Sequence, residues 1–159
     1  MANENETHKM TDLEAIFAFF FGGLAIFTIL NTKSMNRFTY KVTSKEGNDG
    51  STIYFVSVLT GSNNETDYTF LGTIFDNGVY YHGRKSRIGK DAMSVKAFAW
   101  FYNKLNRHFS ADGEDFNLGT VEFYHEGCCA RCGRKLTIPE SVEIGFGPTC
   151  NGYRLSRAA

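Results

Sequence analysis

Between Ala15 and Leu30 the chain reads AIFAFFFGGLAIFTIL, sixteen residues without a charge and with a glycine pair, Gly22-Gly23, near the centre. A run this apolar has to be buried, and its length decides where. It is shorter than the roughly 20 residues that span a bilayer as a helix. The residues before it are acidic (Glu4, Glu6, Asp12, Glu14), the reverse of the basic lead of a signal peptide. The run therefore predicts a buried helix from Asp12 to Phe21, a break at the glycines and a core strand beyond them, with no membrane role.

The segments beyond it are strand-like. AIFTIL and RFTYKV alternate on either side of a polar connection, Asn31 to Asn36, and read as a hairpin. Ser44 to Ser51 is a loop by composition, and TIYFVSVL after it can turn Ile53, Phe55 and either Val56 or Val58 to a core. DYTFLGTIF and VYYHG are joined by Asp76-Asn77-Gly78, and Asn-Gly is the strongest short hairpin signal because both residues tolerate positive φ. Ser94 is the expected cap of a helix running to about Arg107, with Val95, Phe98, Tyr102, Leu105 and Phe109 forming one apolar stripe. An acidic loop from Ala111 to Gly119 and a last strand from Thr120 to Tyr124 complete the body. The chain has 159 residues, 42% of them apolar, enough for one core to form without cross-links. The expected class is α+β: an antiparallel sheet of about five or six strands with one main helix packed on it, an N-terminal helix and a C-terminal zinc knuckle. The expected divisions are 1–23, 24–124 and 125–159.

All four cysteines fall between Cys128 and Cys150, too bunched to cross-link a chain of this length. That usage fits a reducing, cytoplasmic setting and a metal site. Cys129-x-x-Cys132-Gly133 is the arrangement of a zinc knuckle: two thiolates grip one ion from a tight turn, and the glycine lets backbone N–H groups point at sulfur. Cys150, presented by Gly145-Phe146-Gly147-Pro148, supplies a third thiolate. His125 is the preferred fourth ligand for zinc, because Cys128 abuts Cys129 and its side chain tends to the opposite side of an extended backbone. Cys128, a carboxylate or water are the alternatives.

Cations and acids balance at 17 each, a zero that taken over the whole chain argues against a nucleic-acid partner. The zero hides a segregation: residues 82–107 carry seven cations and one acid, whereas residues 108–126 carry five acids and no Lys or Arg. Within the basic strip, Tyr80, Tyr81, Arg84, Lys85, Arg87 and Lys90 mix rings and cations, with Lys96 and Lys104 extending the charge along the helix. Such a mixture suits a phosphate backbone beside bases. The competing reading is a solvated loop whose cations pair with Asp112, Glu114 and Asp115.

Enzyme motifs are missing: no G-x-x-x-x-G-K-[ST], no G-x-G-x-x-G, no H-E-x-x-H, no G-x-S-x-G and no paired-carboxylate motif for a metal-dependent nuclease. His125-Glu126 lacks the spacer of a deaminase H-x-E element.

The tail, C-x-x-C-G-R-K-L-T-I-P-E-S-V-E-I-G-F-G-P-T-C, resembles a short cysteine-rich module of uncharacterised bacteriophage and mobile-element proteins, a domain of unknown function. RFTYKV, FVSVLTGSNNETDYTFLGTIF and HGRKSRIGKDAMSVKAFAWF also resemble the body of such proteins. The resemblance matches Cys129, Cys132 and Cys150 to the metal-ligand positions and leaves Cys128 outside. It implies a phage or prophage origin, and similar modules are attached to replication, helicase and anti-restriction proteins. The expected function is a non-enzymatic accessory protein that binds DNA or RNA in the cytoplasm of a bacterial host. The alternative is an inhibitor that contacts a host defence or replication protein through the aromatic N-terminal segment or the acidic loop.

Overall fold

The computed structural model describes residues 8–63, 66–110, 113–136 and 139–150. The apolar run divides where the glycines stand. Helix α1 covers Leu13–Phe20, capped by Asp12, whose side chain accepts from the Glu14 N–H, and strand β2 covers Leu24–Asn31. From there the chain makes a meander: β3 (Arg37–Glu46), β4 (Thr52–Leu59), β5 (Tyr68–Ile74) and β6 (Tyr80–His82), each antiparallel to the one before. Helix α2 (Met93–His108) comes next, then β7 (Val121–His125) and a short helix α3 (Pro139–Ile144). With the two-residue β1 (Lys9–Met10), the sheet has seven strands among the described residues, in the order β1-β7-β2-β3-β4-β5-β6.

The five-strand meander matches the sequence reading, but the sheet exceeds the expected five or six strands. The surplus is β1, which pairs with β7 through Lys9 and Met10 alone, too short to carry an alternation. No helix among the described residues is long and apolar enough to cross a membrane. Helix α2 begins at Met93 with Ala92 as an uncapped N-cap. Ser94 therefore sits inside the first turn and is no cap; its carbonyl accepts the Tyr40 hydroxyl instead, at 2.6 Å.

Alternation assigns two faces to the sheet. The inner face carries Ala25, Phe27 and Ile29, Tyr40 and Val42, Val56 and Val58, and Val121 and Phe123, all buried. Both long helices cover this face, with Phe20 meeting Phe27 and Phe98 meeting Tyr40 and Tyr80. On α2 the buried stripe is Val95, Phe98, Phe101, Tyr102 and Leu105, while Phe109 stays 38% exposed. The tail shares this core. Leu24 N–H donates to the Ala130 carbonyl, Ala130 N–H to that of Gly145, and the ring of Phe146 meets Phe19 edge-on.

The outer face is the more polar one. By the same alternation it holds Arg37, Thr39, Lys41, Thr43 and Lys45 on β3 and Ile53, Phe55 and Ser57 on β4, so Ile53 and Phe55, expected toward the core, face outward because Val56 and Val58 take the inner side. The register places Phe70 of β5 opposite Ser57 and Tyr68 opposite Leu59, across a bulge at Val56/Ser57. At the far side Glu126 accepts from Thr28, which also bonds Thr39.

Candidate metal centre and basic face

Residues 127–136 fold back on themselves. Cys129 N–H donates to the Arg134 carbonyl, Leu136 N–H to that of Gly127, and Cys128 bridges Lys135. The turn closes with Gly133 N–H on the Cys129 carbonyl, and Gly133 takes φ 78°, a left-handed conformation that a side chain would strain. Cys129 is thereby fixed in the core with its sulfur toward the turn, where the Arg131 N–H donates to it at 3.4 Å. The Arg131 guanidinium points at the Cys150 sulfur from 3.8 Å. The Sγ atoms of Cys129, Cys132 and Cys150 lie within 4.8 Å of one another. Thiolates sharing a tetrahedral zinc at roughly 2.3 Å from each sulfur stand roughly 3.8 Å apart, so a small contraction brings this trio onto one ion.

That geometry marks out a segment with relatives. Residues 120–155 match DUF6011, a family of unknown function. No curated protein and no solved structure matches the chain. The DUF6011 match runs from the start of β7 through the three cysteines and leaves the meander and α2 outside it.

Within this segment, the surroundings of Cys129 favour its thiolate. Burial by itself raises the Cys129 thiol, but N–H groups of Cys132, Gly147 and Arg131 and the Cys132 thiol outweigh it and hold Cys129 below an ordinary cysteine. Burial pushes Cys128 the other way, aided by Glu126 and by Cys129. A cavity of about 360 Å³ opens beside the trio, bordered by Arg134, Lys135 and Ser141. Three soft sulfur donors, one of them served by N–H groups, suit zinc or a metal of similar softness.

His125 is not with them. β7 turns it inward with Val121 and Phe123, so it is buried, and both its ring nitrogens are engaged: Gly127 N–H donates to Nδ1 and Nε2 meets the Val142 carbonyl. It stacks on His8 at 4.9 Å. The fourth-ligand expectation for His125 is corrected on that ground: the ring ties the tail's helix to the sheet. Burial lowers its pKa from 6.5 to about 4, with the Val142 contact opposing and His8 assisting. The consequence has a definite sign. Below pH 6.5 the unfolded chain takes up a proton that the folded ring resists until about pH 4, so stability falls across that window and levels off beneath it. The loss is at most about 3 kcal/mol. An NMR titration of the His125 ring reads the folded value directly; a midpoint near 6.5 contradicts the buried neutral ring.

The basic strip divides. Arg84, Lys85, Arg87 and Lys90 are exposed, and none forms an ion pair with a described residue, so the expected rival, pairing with Glu114 and Asp115, is not formed. Asp112 lies outside the described residues. The loop is held to β5: Gly83 N–H donates to the Leu71 carbonyl and the Ser86 hydroxyl to that of Phe70. The Phe70 ring lies over Gly83, where a Cβ would stand 2.4 Å from it. Lys85 and Arg87 thus share a depression with Tyr68, Thr69 and Phe70. Lys96 and Lys104 are elsewhere, on the helix that covers the inner face, and Lys96 borders a groove with Phe38, Met93 and Trp100. Of the two tyrosines, Tyr81 is 51% exposed, whereas Tyr80 points inward, edge-on to Phe98 with its hydroxyl buried. Tyr80 is therefore no stacking surface.

Sequence reasoning missed four residues that the outer face adds: Lys41, whose ammonium stands 5.2 Å from the centre of the Tyr68 ring, Tyr68 itself, Phe70, and Phe55, which meets Phe70 edge-on. The signal was present in RFTYKVTSKE, where Arg37, Lys41 and Lys45 recur every fourth residue and so fall on one face of a strand.

Proposed function

We propose that this is a phage-type accessory protein that binds nucleic acid without catalysis, and that a structural zinc ion on Cys129, Cys132 and Cys150 fastens its tail. The observation that supports the reading is the position of Lys85 and Arg87: two exposed cations without acidic partners among the described residues, on a loop hydrogen-bonded to β5, beside aromatic rings. Cations so placed are available to phosphates. Zinc would supply cross-linking rather than chemistry, since no carboxylate joins the trio's cluster among the described residues. Three sulfurs leave its fourth position to a further ligand.

Fluorescence anisotropy with labelled oligonucleotides at low salt tests the reading. The wild-type chain binds, and Lys85→Ala/Arg87→Ala binds at least roughly tenfold more weakly, because two charge-assisted hydrogen bonds to phosphate are removed. Equal affinity of the two proteins, or no binding by either, contradicts it.

The second reading, inhibition of a host defence or replication protein by direct contact, has one observation in its favour. Met93 and Trp100, 57% and 46% exposed, border the groove of about 410 Å³ between α2 and the β2–β3 hairpin. The aromatic N-terminal segment expected to make that contact is largely spent on the core through Phe19 and Phe20. Pull-down from host cells separates the readings: nuclease treatment releases the partner under the first and leaves it under the second.

A further inference from the structure

The outer face of the sheet has an order across its strands that nucleic-acid binding as such does not require. β3 contributes Arg37, Lys41 and Lys45, spaced roughly 13 Å apart at four residues per interval. Two strands away, roughly 10 Å, β5 contributes Tyr68 and Phe70. Beyond β5 lies the loop with Lys85 and Arg87. Rings therefore run between two lines of cations. Of the acids of this face, Glu122 pairs with Lys9 at the opposite margin, whereas Glu126 accepts from Thr28 and adds to burial in raising the Tyr68 hydroxyl pKa, so one carboxylate reaches toward that ring.

We propose that this face takes an unpaired nucleic-acid strand, with bases stacking on Tyr68 and Phe70 and phosphates meeting Lys41 on one side and Lys85 and Arg87 on the other. The inference rests on the nucleic-acid reading above and narrows it. The two forms of nucleic acid offer different groups to such a face. A duplex presents phosphates and groove edges but hides its base faces in its own stack, so it can use the cations and not the rings. A single strand offers both, and stacking on an aromatic side chain accepts any base because every base has a π face. Lys41 already sits over the Tyr68 ring, so this ring lies within reach of a cation that can also meet the phosphate of a base stacked beside it. The loop cations are positioned by backbone bonds from Gly83 and by the Ser86 side chain rather than by pairing with acids, so no ion pair among the described residues has to break before a phosphate binds.

The test is anisotropy on three fluorescein-labelled probes of about 15 nucleotides, oligo-dT, oligo-rU and a DNA duplex, a length that covers the span of such surfaces. The proteins are the wild type, Tyr68→Ala, Tyr68→Phe and Lys85→Ala/Arg87→Ala, each checked for its native circular dichroism. Either single strand binds at least roughly tenfold more tightly than the duplex, Tyr68→Ala loses roughly 5- to 150-fold on the single strand, and Tyr68→Phe, which keeps the ring, stays near wild type. The two oligonucleotides distinguish DNA from RNA. If the duplex binds as tightly as the strands and Tyr68→Ala changes nothing while the double variant still weakens binding, the single-strand assignment falls and the broader reading stands. If no probe binds, both fall.

Discussion

If the cysteine trio holds zinc as proposed, replacing Cys132 by Ser is expected to abolish metal binding. Wild-type chain purified without chelator carries about one zinc by elemental analysis, and Cys132→Ser carries almost none, because one of three thiolates is gone and a hydroxyl is a poor substitute for a soft donor. Loss of an outer partner of a ligand already weakens metal sites by about 10- to 100-fold, and loss of a ligand exceeds that. Cys132 is the cysteine to change because it is exposed, whereas Cys129 and Cys150 are buried and their replacement also disturbs packing. Cys128→Ser is the control: its sulfur stands outside the trio, so the variant keeps its zinc. Binding energy at such a site is also folding energy. Chelator therefore lowers the thermal midpoint of the wild type and leaves Cys132→Ser unmoved. A Cys132→Ser chain with full zinc and unchanged stability contradicts the site.

The second large effect lies in the core. Phe20 is fully buried and its ring meets those of Phe27, Phe98, Phe101, Tyr102 and Phe123, so one residue of α1 joins the sheet, through β2 and β7, to the helix α2 above it. Phe20→Ala removes the ring from a site enclosed by other rings that cannot collapse into the space. The expected loss is about 3–5 kcal/mol, read from urea denaturation, or roughly 6–20 °C in the midpoint for a chain of this size. Phe17, by contrast, is half-buried and stacks on Phe109, itself 38% exposed, so Phe17→Ala has a smaller effect. Equal losses at the two positions contradict this assignment of the core.

These residues also show what the sequence could reveal. Asp12, the glycine pair and the alternation on either side of Asn31–Asn36 are local signals, and α1, β2 and β3 stand where they point. The cysteine trio was equally local, since spacing and flanking glycines are properties of the chain alone. His125 shows the limit. Its inward side is legible from Val121 and Phe123, but the Val142 carbonyl that occupies its ring comes from a helix 17 residues on. Adjacent Tyr80 and Tyr81 could not be ranked until the sheet had an inside and an outside. The basic strip looked continuous because charge was counted along the chain, whereas Lys96 and Lys104 ride a helix on the face opposite to Lys41. Conversely, Arg37, Lys41 and Lys45 were dispersed in sequence and are gathered by the period of a strand.

The grouping of Lys41, Lys85 and Arg87 around the aromatic rings of the outer face is the centre of the functional account, and the salt dependence of oligonucleotide binding tests it most directly. Each phosphate neutralised on a single strand contributes about −0.7 to the slope of log affinity against log salt. Roughly three to five phosphates met by the outer face predict a slope of roughly −2 to −3.5 for the wild type, made shallower by about 1.4 in Lys85→Ala/Arg87→Ala. A slope near zero, or one that the double variant leaves unchanged, contradicts the account.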